Sequence, residues 1–186
     1  ILIAAIGIFL GCLFFGSLAQ LVRDNKFNPS VLLYELRSLC PRFTLYIVLL
    51  FSLTLLIGVC AAGLLGWASL LAPAAGNIVI GLFAILILPL AILIGLYLFL
   101  AEEAIFLGGV GPRQAVKDSF NIARQNFGST LLLFALVFII IQGLGLIWKT
   151  LAGNILGLLF AVLGNAFIGT SLAAAVMVYY WDRRPD

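Results

Sequence analysis

The chain contains five apolar stretches, each long enough to cross a lipid bilayer as a helix. A helix rises about 1.5 Å per residue and the hydrocarbon core is about 30 Å thick, so about 20 residues suffice. The runs cover about residues 1–22, 43–71, 77–100, 127–148 and 154–181. They are apolar throughout rather than alternating, which argues against strands. Composition points the same way: 65% of the 186 residues are hydrophobic and only 9% are charged, against about 25% charged in soluble domains. The expected fold is an all-α integral membrane protein with about five transmembrane helices.

Charge placement predicts the topology. Arg23, Lys26, Arg37 and Arg42 separate the first two runs, and Arg113, Lys117 and Arg124 separate the third and fourth. Arg183 and Arg184 follow the fifth, and Lys149 alone falls on the opposite side. The positive-inside rule then makes the charged loops and the C-terminus cytoplasmic, in a multi-pass protein of the cell inner membrane. Ile1 begins on the other side, without a Met or a basic leader, so a further span upstream is expected. Five aromatic residues mark the expected membrane interfaces: Trp67, Trp148, Tyr179, Tyr180 and Trp181.

The two charged loops resemble each other. Residues 28–43 read NPSVLLYELRSLCPRF and residues 111–127 read GPRQAVKDSFNIARQNF. Each starts with a capping Asn or Gly followed by proline, which suits the first helical position. Two short amphipathic interfacial helices are expected, over about residues 29–40 and 112–125, each followed by a span. Val31, Leu32, Leu36 and Leu39 form the apolar face of the first. Ala115, Val116, Phe120, Ala123 and Phe127 form that of the second, with Lys117 and Asp118 among the residues opposite. The result is a pseudo-repeat of span, interfacial helix and span. A tandem duplication and shared physical demands on such loops both account for it.

Small residues recur every four positions within the spans: Gly7 and Gly11; Gly58, Ala62 and Gly66; Gly157, Ala161, Asn165, Gly169 and Ala173. Such stripes let helix backbones approach closely, whether within the chain or against another protein. Asn165 is expected to hydrogen-bond to a neighbouring helix, with substrate contact as the other reading. Pro89 should kink the third span, shaping its packing or marking a cavity.

Site chemistry is sparse. There is no histidine, and Cys12, Cys40 and Cys60 lack metal-ligand or paired spacing; no metal, no disulfide and no cofactor are expected, while a bound lipid fits. The basic residues form no nucleic-acid footprint. Glu102 and Glu103 are adjacent, so on a helix they point about 100° apart and do not converge on one bond. They are expected at the cytoplasmic boundary with Arg113, Lys117, Arg183 and Arg184, solvated and facing Arg113, Lys117 or Arg37. The glycines after them match neither dinucleotide nor phosphate-loop spacing, because Gln114 stands where a third glycine belongs. They are expected to form the turn between the third span and the second interfacial helix.

The stretch from Ala101 to Phe134, with Ala115, Ser119 and Asn126 in its pattern, resembles the membrane domain found beside some glycerophosphodiester phosphodiesterases and standing alone in other bacterial and archaeal multi-span proteins. That resemblance implies a multi-span fold of about six spans and no catalytic residues within the domain. The expected function is that of a non-catalytic structural or accessory subunit, in contact with membrane lipids and other transmembrane proteins. The alternative is a transporter or lipid-handling protein with a cavity among spans three to five, near Pro89, Gln142 and Asn165.

Overall fold

The computed structural model describes residues 2–71 and 73–184; side chains at 2, 4, 5, 64, 65, 68–80, 82–84, 86 and 88 are outside the description. Ile1 and Ala72, at the expected edges of the first span and of the turn after the second, are not among the described residues. Seven helices and no strand occur among those that are. They are α1 (Leu2–Asp24), α2 (Pro29–Leu71), α3 (Pro73–Leu98), α4 (Ala101–Gly108), α5 (Pro112–Gln125), α6 (Phe127–Leu151) and α7 (Ile155–Trp181). Five stretches among the described residues are long and apolar enough to cross a membrane.

The turn from α1 to α2 is built by polar side chains. Asn25 adopts a left-handed backbone with φ 52°, a conformation that asparagine tolerates better than most residues. Gln20, buried at 2% exposure, accepts from the Asn28 amide at 3.0 Å and donates to its carbonyl at 3.3 Å. The Asn28 side chain accepts from the Ser30 amide at 3.2 Å, so it caps α2 ahead of Pro29. Arg23 pairs with Asp24 and with Glu35, which ties the end of α1 to the first turns of α2.

The expected interfacial helix over residues 29–40 is not a separate element. It is the first part of α2, which runs unbroken through Pro41 for 43 residues. Proline removes one backbone donor and normally bends or ends a helix. Here the buried stripe Leu32, Leu36, Leu39, Phe43 and Tyr46 keeps helical spacing across the proline, and one face packs on both sides of it. Tertiary packing outweighs the local penalty. Gly16 on α1 permits this approach, because a Cβ there would stand 3.1 Å from Leu32 Cδ1.

The third span ends close to its expected limit, α3 stopping at Leu98, but the chain does not turn there: a short further helix, α4, begins at Ala101. Breaking a helix frees backbone groups, which is costly away from water. Ser119 of α5, fully buried, repairs the break. Its Oγ donates to the Tyr97 carbonyl at 2.6 Å and accepts from the Leu100 amide at 3.2 Å. Helix α4 ends at Gly109, whose φ of 60° gives a left-handed cap that favours glycine. The glycine turn therefore joins α4, not the third span, to α5.

The core lies at the charged end. Phe106 of α4 stacks on Phe15 of α1 at 5.5 Å and meets Phe43 of α2 at 4.9 Å between ring centroids. On the far side, the Tyr179 hydroxyl of α7 bonds Ser129 and the fully buried Thr130 of α6, at 2.8 and 2.7 Å. At the other end of the α6–α7 pair, the Asn154 side chain accepts from the Gly157 amide at 2.6 Å and caps α7. Trp148 closes over Gly164 there; a Cβ at Gly164 would come within 2.5 Å of the indole ring.

Ser119→Ala leaves the Tyr97 carbonyl and the Leu100 amide without their buried partner. A loss of about 1–3 kcal/mol is expected, read as a lower unfolding midpoint in detergent. Gly164→Ala, which forces the Trp148 ring to move, is expected to cost about 1–3 kcal/mol in the same assay. Gly169→Ala, with open space around its Cβ position, is expected to leave that midpoint unchanged.

Candidate functional site

Helix α4 is the element around which the charged end is assembled. Ala101 and Ala104 are small enough to let it nest among α1, α2, α5 and α7, and Ile105, Phe106 and Leu107 fill the space between them. Because its faces are all covered, the acidic residues of its first turn are drawn inward. Glu103 is 6% exposed, and its Oε2 is sealed from solvent with no hydrogen-bond partner among the described residues. Glu102, one position earlier, is half-buried at the rim. The expectation that both glutamates are solvated boundary residues is thus corrected. The apolar run pauses at the two acids and resumes as Ala104–Leu107, which belongs to the core.

Neither glutamate pairs with Arg113, Lys117 or Arg37. The ion pairs among the described residues are those of Arg23 with Asp24 and Glu35. Asp118 was expected on the polar face of α5 but is buried at 7% exposure, where its Oδ1 accepts from Gln114 Nε2 at 2.7 Å. Of the expected apolar face, Val116, Phe120 and Phe127 are exposed. Ala115 and Ala123 of that face are buried, joined by Ser119, Ile122 and Asp118. The reason is that α5 packs over the α3–α4 break, and Ser119 must face that break. Arg183 and Arg184 lie over the Tyr179 and Trp181 rings at 3.9 and 3.4 Å, a cation–π arrangement that fixes the end of α7.

The expected interface aromatics divide. Trp67 is 72% exposed, and Trp181 is half-buried beneath Arg184. Tyr180 is a core residue at 2% exposure, and Tyr179 is bonded to α6. Trp148 is half-buried on α6 with its indole Nε1 sealed and unpartnered among the described residues. These last three hold helices together.

Most of the small-residue stripes do not pack within the chain. Gly7, Gly58, Ala62, Asn165 and Gly169 are exposed, and the Cβ positions of Gly7, Gly58 and Gly169 meet open space. Ala161 is buried and Ala173 half-buried. Gly11 lies 3.9 Å, from its Cβ position, to the Phe43 ring, and Gly157 is required because a Cβ would run into the Leu151 carbonyl. The glycines with the closest inter-helix approaches, Gly16 and Gly164, fall outside the stripes. What they share is a large partner, Leu32 or Trp148, on a helix adjacent in the chain; four-residue spacing does not reveal that.

Pro89, Gln142 and Asn165 are all exposed, and the expected cavity among spans three to five does not gather them. Asn165 sits ten residues into α7 and Gln142 nine residues before the end of α6. Because the two helices form an antiparallel pair, both residues lie at a similar depth, about 14–15 Å from the connecting turn. Neither side chain has a hydrogen-bond partner among the described residues. No group of three or more His, Cys, Asp or Glu among those residues is placed to hold a metal ion.

Five membrane-length helical stretches in an all-α fold define a multi-pass membrane protein. No family model matches the chain, and neither curated proteins nor solved structures match it.

A buried carboxyl with an unpartnered oxygen costs stability that an apolar residue of similar volume does not. Glu103→Met is therefore expected to raise the unfolding midpoint in detergent, by about 1–3 kcal/mol. A lowered midpoint would show that the carboxyl is satisfied in the membrane-embedded protein.

Proposed function

We propose that the protein is a non-catalytic subunit of a membrane assembly, held to neighbouring transmembrane helices through its exposed α6–α7 face. The observation that carries this reading is Asn165. A polar amide about halfway through a span, exposed and without a partner among the described residues, gains a hydrogen bond when a second helix covers it. Gly169, one turn along, leaves room for that helix to approach. Gln142 at similar depth on α6 offers a second donor and acceptor. Membrane lipids cover the remaining apolar faces.

The orientation that goes with this reading places the charged end in the cytoplasm, in the inner membrane of the cell. Nine of the ten basic residues gather at that end, on the ends of α1 and α2, on α5 and in the turn and tail beside them, the distribution that the positive-inside rule describes. The resemblance to the membrane domain beside some glycerophosphodiester phosphodiesterases supports a serving role, since the chemistry in those proteins belongs to a separate soluble domain.

The test is the mass of the particle extracted directly from its membrane into polymer nanodiscs. The wild-type chain is expected above its own 20.0 kDa of protein. Asn165→Leu is expected to weaken association about 3- to 30-fold, the range for one interhelical hydrogen bond, while the unfolding midpoint of the isolated chain stays unchanged. A wild-type protein found only as a solitary chain would overturn the reading.

A further inference from the structure

We propose that the groove between α2, α3 and α5 is a specific binding site for one anionic glycerophospholipid. Arg113 and Lys117 hold the phosphate, and an acyl chain lies along α2 and α3. This site is separate from the α6–α7 face and does not depend on the assembly reading.

The groove is made of three adjoining hollows. The first, about 560 Å³, lies at the charged end beside Leu45 and the first turns of α5. The second, about 440 Å³, shares Leu49, Arg113 and Lys117 with it. The third, about 390 Å³, shares Leu50, Leu53 and Leu98 with the second and continues to Ile57 and Ile87. Each volume is within the usual range for a ligand pocket, about 300–1,000 Å³. From Leu45 to Ile57, α2 rises about 18 Å, a little more than half of a hydrocarbon core about 30 Å thick. That is the reach of an acyl chain in one leaflet.

Polarity is confined to one end. In the deepest hollow the one hydroxyl, Thr54 Oγ1, is already used, donating to the Leu50 carbonyl at 2.8 Å. At the mouth stand two cations. Arg113 and Lys117 are four residues apart, so they share a face of α5, and both are exposed. Neither forms an ion pair among the described residues. The acid beside Lys117 in sequence, Asp118, is buried on another face and bonded to Gln114, so it does not neutralise them.

Two like charges at this spacing repel, and an anion between them removes that cost. The start of α5 adds to the field. Gly111 caps it without a side-chain bond, and the first intrahelical donor is the Ala115 amide. Pro112 has no N–H, so the unpaired amides of this first turn, which lines the first hollow, are those of Arg113 and Gln114, at the positive end of the helix. A free phosphate would satisfy the cations but leave the apolar length of the groove to no purpose. A zwitterionic lipid would bring its own cation beside Arg113 and Lys117. An anionic glycerophospholipid matches both ends.

The experiment uses the full chain in detergent micelles. Retention of phosphatidylglycerol and of phosphatidylcholine with identical acyl chains is read by native mass spectrometry. The wild-type protein is expected to hold one phosphatidylglycerol in preference to phosphatidylcholine, a comparison that needs no variant. Arg113→Ala with Lys117→Ala is expected to weaken phosphatidylglycerol binding roughly thirtyfold, from two surface cations. Lys26→Ala with Arg124→Ala removes the same charge elsewhere and is expected to leave binding intact. Leu53→Trp fills the groove and is expected to reduce binding with both cations present. Equal retention of the two lipids by the wild type overturns the proposal. So does an equal loss in the Lys26/Arg124 double variant, or displacement of the lipid by glycerol phosphate at matched concentration.

Discussion

The fold depends on one buried hydroxyl that lets a membrane helix stop and restart. Within hydrocarbon a chain has little freedom to leave its backbone groups unpaired. Between Leu98 and Ala101 the helical ladder is interrupted, and the local amide of Phe99 finds only a long 3.4 Å bond to Leu96. Ser119 supplies what is missing, as a donor to one side of the break and an acceptor to the other. Because that hydroxyl comes from α5, the repair also docks α5 against the break. The position of α4 in the core and the placement of the α5 N-terminus over the α2–α3 groove both follow from it.

Packing is divided along the membrane normal. In α4 six of the eight residues are buried, whereas in α6 Thr130 is the one buried residue. The charged end has aromatic stacking through Phe106, the paired hydrogen bonds of Gln20, and Tyr179 bridging α6 and α7. These are directional contacts that hold helices together where lipid provides no hydrophobic drive. The rest of each span faces outward. Such surfaces are ordinary against lipid, and Asn165 and Gln142 are their polar interruptions on α7 and α6.

Much of the architecture was legible from the chain, because span length and uniform apolarity leave little choice of secondary structure. Asn28 with Pro29, and Gly111 with Pro112, mark helix starts through backbone chemistry that acts locally. Other readings failed where a distant element intervened. Pro41 looks like a boundary, yet the stripe from Leu32 to Tyr46 runs through it. Glu102 and Glu103 look like the end of a span, yet α4 turns inward and buries Glu103. Asp118 looks like part of the solvated face of α5, yet it is buried because Ser119 sets the rotation of that helix. Four-residue stripes of small residues mark surfaces available for packing but do not say which of them this chain uses.

By itself the sequence determined that the chain is helical, that it crosses a membrane, and where its charges gather. Those properties follow from single segments and their solvent. Only the tertiary structure decided which acid is buried, which glycines carry contacts, and that Arg113 and Lys117 stand together at the mouth of an apolar groove. These outcomes depend on the rotation of α5 about its axis, and that rotation is set by a hydrogen bond from Ser119 to backbone groups some twenty residues earlier. No local pattern encodes it, because the groups it satisfies are backbone atoms that every residue carries.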